Sequence, residues 1–198
     1  MKFLLGTKQE MTQVFDESGR VRAATVIAAP KATVTQVKTK ERDGYAAVQI
    51  GSGARKESRV NRAQRPLGSF RFIREFRSTE APELKKDDTF DVSVFAPGDR
   101  VEVRGTTKGK GFQGVVKRHG FSGGPRTHGQ KHSEREPGSI GVSGIQRVFK
   151  GMRMAGRMGG DRVVVKNLRV LSVDPERGTL VVSGAVPGRR GSLVEIVG

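Results

Sequence analysis

Apolar and polar residues alternate in short runs over most of the chain, and the runs predict strands. Met11 to Phe15 and Val21 to Ala28 read as a first pair, joined by the polar turn Asp16-Glu17-Ser18-Gly19. Val34 to Val37 and Tyr45 to Ile50 read as a second pair. Asp43-Gly44 between them is a hairpin signal, because glycine accepts the positive φ of a tight turn. Arg55 to Pro66 has room for a helical turn or two, ended by Pro66. Phe70, Phe72 and Phe76 share one face of an alternating run, with Arg71, Arg74 and Arg77 between or beside them. The rings are expected to pack inward and leave the arginines in solvent, in preference to forming a stacking platform for nucleic-acid bases. Thr89 to Phe95 and Arg100 to Arg104 alternate again about Ala96-Pro97-Gly98-Asp99, which predicts a half-buried hairpin.

The pattern then stops. It resumes at Val163 to Val165, Leu168 to Val173, Leu180 to Val182 and Leu193 to Val197, with Asp174-Pro175-Glu176-Arg177-Gly178 as a turn. Short strands at close spacing with few helical periods predict a mainly β fold, an all-β barrel or sandwich. The expected organisation is a body of residues 1–104 and 163–198, within which 55–88 is basic and less regular, and an extension of residues 105–162 inserted between two strands. Loops beyond about 15 residues in a compact domain are usually functional or disordered.

Charge changes how the extension is read. Arg104 to Arg162 carries 13 Lys and Arg against Glu134, Glu136 and Asp161, a net of +10 out of +17 for the chain. It also holds 15 of the 27 glycines and all three histidines. Arg55 to Arg77 nets a further +6, so the other 116 residues are almost neutral. With few large apolar residues, the extension buries too little area to offset an ordering cost of about 1–2 kcal/mol per residue. Its order is expected to come from an anion outside itself. Glycine lets backbone N–H groups approach phosphates, while Arg and Lys supply charge and forked donors.

Other chemistry is less well supported. Gly109-Lys110-Gly111-Phe112-Gln113-Gly114 has the letters of a dinucleotide or kinase loop, but β hairpins surround it where a βαβ unit is required, and no V-A-I-K, H-R-D or D-F-G accompanies it. A glycine turn leading into a short helix from about Phe112 to His119, with Lys117 and Arg118 facing phosphate, fits better. An enzyme using a phosphate-bearing cofactor at Gly109 to Gly114 is the alternative reading. His128 and His132 are four apart, yet Pro125, Gly129 and Pro137 oppose a helix, which favours RNA contact over metal ligation. Ser122, Ser133, Ser139 and Ser143 lie in glycine-rich turns without a G-x-S-x-G elbow. An amphipathic membrane helix over Arg147 to Arg157 is opposed by Gly151, Gly156, Gly159 and Gly160, each costing roughly 1 kcal/mol relative to Ala. A β-barrel module for acidic proteins or anionic membranes is a third class that charge alone leaves open. There is no cysteine, hence no disulfide, and no apolar run reaches the length of a signal h-region or a membrane span. A soluble, cytosolic protein with no cofactor is expected.

Several blocks also carry a family likeness. Gly105-Thr106-Thr107-Lys108-Gly109-Lys110-Gly111-Phe112-Gln113-Gly114, Val116-Lys117-Arg118-His119, Thr127-His128-Gly129, Pro137-Gly138-Ser139-Ile140-Gly141, Arg147-Val148-Phe149-Lys150-Gly151, Met154-Ala155-Gly156 and Gly184-Ala185-Val186-Pro187-Gly188 resemble the signature of the bacterial members of the universal large-subunit ribosomal protein L-three family. The resemblance implies a β-barrel body on the outside of the large subunit and an extension threading rRNA toward the peptidyl-transferase region. It also implies a structural, non-enzymatic role, early rRNA binding in assembly, a cytoplasmic place in the ribosome, and the family's proteins fourteen and nineteen as neighbours. No membrane or small-molecule substrate is expected. Two stretches depart from the family pattern. Glu10 stands where a glycine is usual before Met11-Thr12, and Val142-Ser143-Gly144-Ile145-Gln146 stands where many members carry Thr-Pro-Gly. The glutamine methylation of some members is not carried over to Gln146.

Expected to neutralise rRNA phosphates are Lys108, Lys110, Lys117, Arg118, Arg126, Lys131, Arg147, Lys150, Arg153 and Arg157, while His119, His128 and His132 contact sugar or base edges. Arg55, Lys56, Arg59, Arg62 and Arg65 form a secondary RNA-binding set.

Overall fold

The computed structural model describes residues 2–15, 18–78 and 84–198. In chain order the strands are β1 (Phe3–Phe15), β2 (Val21–Ala28), β3 (Ala32–Lys38), β4 (Ala47–Ala54), β5 (Phe70–Arg77), β6 (Thr89–Phe90), β7 (Arg100–Thr106), β8 (Phe112–Gln113), β9 (Gly156–Arg157), β10 (Arg162–Asp174), β11 (Thr179–Ser183) and β12 (Leu193–Val197). The two helices are α1 (Lys40–Asp43) and α2 (Val115–His119). Two compact units result, one from Met1–Thr106 with Arg162–Gly198, the other from Thr107–Asp161.

In the first unit six antiparallel strands close a barrel in the order β1-β12-β7-β10-β11-β2. Alternation fills it: Leu4, Ile27, Val103, Leu180, Val182, Val194 and Ile196 are buried. Gly6 faces inward among them, where a Cβ would stand 2.5 Å from Ile27 Cγ2. A four-stranded sheet, β5-β4-β3-β6, packs with the barrel in one core. Phe3 of β1 stacks on Phe76 of β5 with ring centroids 4.7 Å apart and meets Phe90 edge-on at 5.5 Å. Leu4 therefore serves the barrel interior while Phe3 serves the side sheet. Burial on both faces explains why Phe3-Leu4-Leu5 is a continuous apolar run with no period-2 signal, and why β1 begins well before Met11.

The aromatic alternation in β5 resolves as expected. Phe76 is buried, Phe70 and Phe72 are half-buried, and Arg71, Arg74 and Arg77 are exposed. Other expectations need correction. The Asp43-Gly44 connection is a single turn of helix, α1, closed by Gly44 at φ 80 with its N–H on the Lys40 carbonyl, not a two-residue hairpin turn. Thr89 to Arg104 is not a hairpin. β6 is two residues long and pairs with β3, whereas β7 belongs to the barrel. Between them Val92–Val94 forms a 3-10 turn started by the Asp91 carboxylate on the Ser93 N–H, which lets Val92 and Phe95 both enter the core. Val163 to Val173 is one strand, β10, whose register shifts between Val165 and Leu168, with Asn167 at φ 60. The shift breaks the alternation that suggested two strands. Arg55 to Pro66 holds two 3-10 turns, Glu57–Arg59 and Arg62–Leu67, and Pro66 sits inside the second instead of ending it. Of the expected first turn, Asp16 and Glu17 lie outside the described residues.

Candidate nucleic-acid interface

Thr107–Asp161 connects two strands that pair with each other, the last pair being Thr106 opposite Arg162. Its two limbs begin as a hydrogen-bonded ribbon. The Thr107 N–H donates to the Asp161 carbonyl at 2.9 Å and the Asp161 N–H to Thr107 Oγ1 at 3.2 Å. The Lys110 N–H reaches the Met158 carbonyl and the Met158 N–H the Gly111 carbonyl, both at 2.9 Å. β8 then pairs with β9, placing Phe112 opposite Arg157 and Gln113 opposite Gly156. Gly159 is required here, because at φ +74 its missing Cβ would lie 2.2 Å from the Lys108 carbonyl oxygen.

Gly114 starts α2 and Gly120, at φ 73, ends it. The expected short helix is present but begins at Val115, because Phe112 and Gln113 are in β8. Val115 is the one buried hydrophobic residue among those described in this unit. The two cations expected to face phosphate diverge. Lys117 is exposed, whereas Arg118 turns to the returning limb and donates from Nη1 to the Met154 carbonyl at 2.7 Å. His119 Nε2 lies 3.0 Å from the same carbonyl oxygen. Beyond α2, the Arg153 guanidinium lies over the Phe121 ring at 5.0 Å, and His119 tilts toward that ring at 6.0 Å.

Farther along, the Gly124 N–H donates to the Glu134 carbonyl at 2.9 Å and Arg126 Nε to the Glu134 carboxylate at 2.7 Å. Arg126 thus meets a carboxylate of its own loop. His128 has φ 59, and Thr127 to His132 forms turns and bends, not a helix. Lys108, Lys110, His128, Lys131, His132, Arg147, Lys150 and Arg157 are exposed. All residues from Arg135 to Arg153 are exposed, including Ile140, Val142, Ile145, Val148, Phe149 and Met152. In the first unit Arg55, Lys56, Arg59, Arg62 and Arg65 are exposed on and beside the two 3-10 turns.

The ribbon thus presents Lys108, Lys110 and Arg157 around its short ladder, and the loop beyond α2 gathers His119, Phe121 and Arg153. Such a surface suits a phosphodiester backbone with unstacked bases: cations hold phosphates, and ring faces accept bases. The G-x-G-x-x-G stretch enters a five-residue helix from an antiparallel ribbon, so it lacks the βαβ setting of a dinucleotide site. Two residues of the surface were overlooked in the sequence. Phe112, 77% exposed, begins β8 just after Gly111, and Arg135 lies in the exposed loop. A lone aromatic in a lysine-glycine run was the available signal for Phe112.

The chain is similar to known proteins over nearly its whole length. The family model described as "Ribosomal protein L3" matches residues 28–183. The chain is 51% identical to the large ribosomal subunit protein uL3 of Acidothermus cellulolyticus, over 99% of this chain and 91% of the relative. It is 50% identical to that of Thermobifida fusca, over 98% and 93%, and 51% identical to that of Roseiflexus sp., over 98% and 95%. These relatives are named as ribosomal proteins, not as enzymes. The chain belongs to the ribosomal protein L3 family.

Proposed function

We propose that the chain is a structural constituent of the large ribosomal subunit that binds large-subunit rRNA, chiefly through Thr107–Asp161. It supports early subunit assembly, and its extension reaches toward the peptidyl-transferase region. Its protein neighbours are large-subunit proteins, those numbered fourteen and nineteen in the family. One observation carries the reading. Between Thr107 and Asp161 there are 11 Lys and Arg against three carboxylates, and most of these cations lie exposed on a unit with almost no core. Such a surface repels itself until polyanion neutralises it, and phosphate contacts release counterions that drive association. Phosphate contact is assigned to Lys108, Lys110, Lys117, Arg126, Lys131, Arg147, Lys150, Arg153 and Arg157. Arg118 acts with His119 as an anchor that also offers its remaining N–H groups. His128 and His132 meet sugar or base edges, and Arg55, Lys56, Arg59, Arg62 and Arg65 form a secondary contact.

Crosslinking the chain in cell lysate and sequencing the attached RNA tests this. Large-subunit rRNA should dominate, with crosslinked peptides falling in 107–161. Recovery of messenger or transfer RNA alone, or of no RNA, would contradict it.

A further inference from the structure

The first unit holds an arginine cluster, Arg74, Arg104 and Arg162, none of which is among the residues assigned above to RNA contact. β12, β7 and β10 are neighbours in the barrel, and their register sets Glu195 opposite Arg104, Arg104 opposite Val164, and Arg162 opposite Thr106. Paired residues share a face. Val103, Val194 and Ile196 fill the interior, so Arg104, Arg162 and Glu195 lie on the outer face. Arg74 arrives from β5: its Nε donates to Glu195 Oε1 at 3.2 Å, while Arg162 Nη2 donates to Oε2 at 2.7 Å. Arg104 donates from Nε to Glu102 at 2.9 Å. The three arginines and Glu195, with Thr106 and Ser192 among the rim residues, line an open cavity of about 210 Å³.

An ion pair needs one cation for each carboxylate, and Glu195 holds two. Its carboxylate is only 12% exposed, yet Arg74 is 49% and Arg162 is 64% exposed. The half-buried carboxylate thus orients two guanidiniums that remain open to solvent. Each guanidinium has five N–H donors in a rigid fork. Arg74 commits Nε to Glu195 and Nη1 to the Ile73 carbonyl at 2.8 Å, and Arg162 commits Nη2, so both keep N–H groups for an outside acceptor. With Glu102 and Glu195 counted against three arginines, the cavity retains one positive charge. The loop before β12 adds exposed Arg189 and Arg190.

We infer that Arg74, Arg104 and Arg162, positioned by Glu195, form a phosphate-binding site on the body whose ligand is the phosphodiester backbone of a nucleic-acid strand. The inference rests on the RNA-binding reading above and adds a site to it. An open surface site with a small charge surplus holds a free phosphate weakly. A strand, already tethered by other contacts, presents its phosphate at high effective concentration.

The test is filter binding of the full-length chain to in vitro transcribed large-subunit rRNA across a range of KCl concentrations. Arg74→Gln and Arg162→Gln remove charge but keep an amide donor for Glu195. Arg104→Gln leaves the Glu195 pairs intact, and so guards against a folding artefact. Each is expected to reduce the log-log salt slope by about 0.7–0.9. Unchanged slopes for all three overturn the site. Lys108→Gln with Lys110→Gln is the parallel arm in the extension. If that pair lowers the slope and the body variants do not, the site fails alone; if neither does, the RNA-binding reading fails with it. Isothermal titration of the free chain with inorganic phosphate separates the sources. Saturable binding lost in Arg162→Gln, with the RNA slope unmoved, would mean a free-anion pocket and overturn the assignment to a strand.

Discussion

Arg118 and Met154 are 36 residues apart in sequence and joined by one hydrogen bond, from the guanidinium Nη1 to the backbone carbonyl at 2.7 Å. The bond fastens α2 to the returning limb of the extension, so Arg118 has a structural duty that Lys117 lacks. Arg118→Ala should lower protection of the α2 amides in hydrogen exchange by about fivefold, corresponding to about 1 kcal/mol. Lys117→Ala should leave that protection unchanged and reduce the salt slope of rRNA binding by about 0.7–0.9.

Two glycines should be irreplaceable in the extension. A Cβ at Gly123 would lie 2.0 Å from the Glu134 carbonyl oxygen and one at Gly159 would lie 2.2 Å from that of Lys108, both at positive φ. Gly123→Ala and Gly159→Ala are expected to weaken rRNA binding while the melting temperature of the body, followed by circular dichroism, stays constant. A matched shift of both readouts would show that the extension and the barrel melt together.

The Phe3–Phe76 stack joins barrel to side sheet. Both rings are almost fully buried, so Phe76→Ala should cost about 3–5 kcal/mol, read as a lower urea midpoint. The salt slope of rRNA binding by the folded fraction should not move, since neither ring is at the cationic surface.

Acid should destabilise the body through a few carboxylates. The Ala96 N–H, at 3.0 Å, and then Lys2, at 2.7 Å, hold the Asp99 carboxyl below the usual range. Ser93 does the same for Asp91, and Lys38, then Tyr45 and Gln49, for Glu75. A folded pKa below the unfolded one contributes stability that is complete above the unfolded value of about 4 and is lost as pH falls through the folded value. The urea midpoint should therefore drop as pH falls below about 4, and Asp99→Asn should flatten that drop while lowering the midpoint at neutral pH.

Much of this was legible in the residues. β12 matches the expected Leu193 to Val197, where buried Val194 and Ile196 alternate with half-buried Leu193 and Glu195, and β2 matches the expected Val21 to Ala28. Phe3-Leu4-Leu5 hid the first part of β1 because both faces are covered there, and the β10 bulge at Lys166-Asn167 hid a continuous strand. In the extension, charge and glycine marked the candidate surface but not the geometry within it. The Arg118 bond to a backbone carbonyl leaves no sequence pattern, because any residue supplies the acceptor. Glu195 is likewise 121 residues from Arg74 and 33 from Arg162, so only folding brings the three together.

On the proposed reading, Thr107–Asp161 supplies most of the cations that grip rRNA while the barrel stands without it. Because Thr106 and Arg162 are paired, the extension can be replaced by a short glycine-serine turn and the shortened chain compared with the full one by filter binding to large-subunit rRNA at several KCl concentrations. The shortened chain should melt at nearly the same temperature, with rRNA affinity sharply reduced and a salt slope shallower by several units. A shortened chain with the affinity and slope of the full one would contradict it.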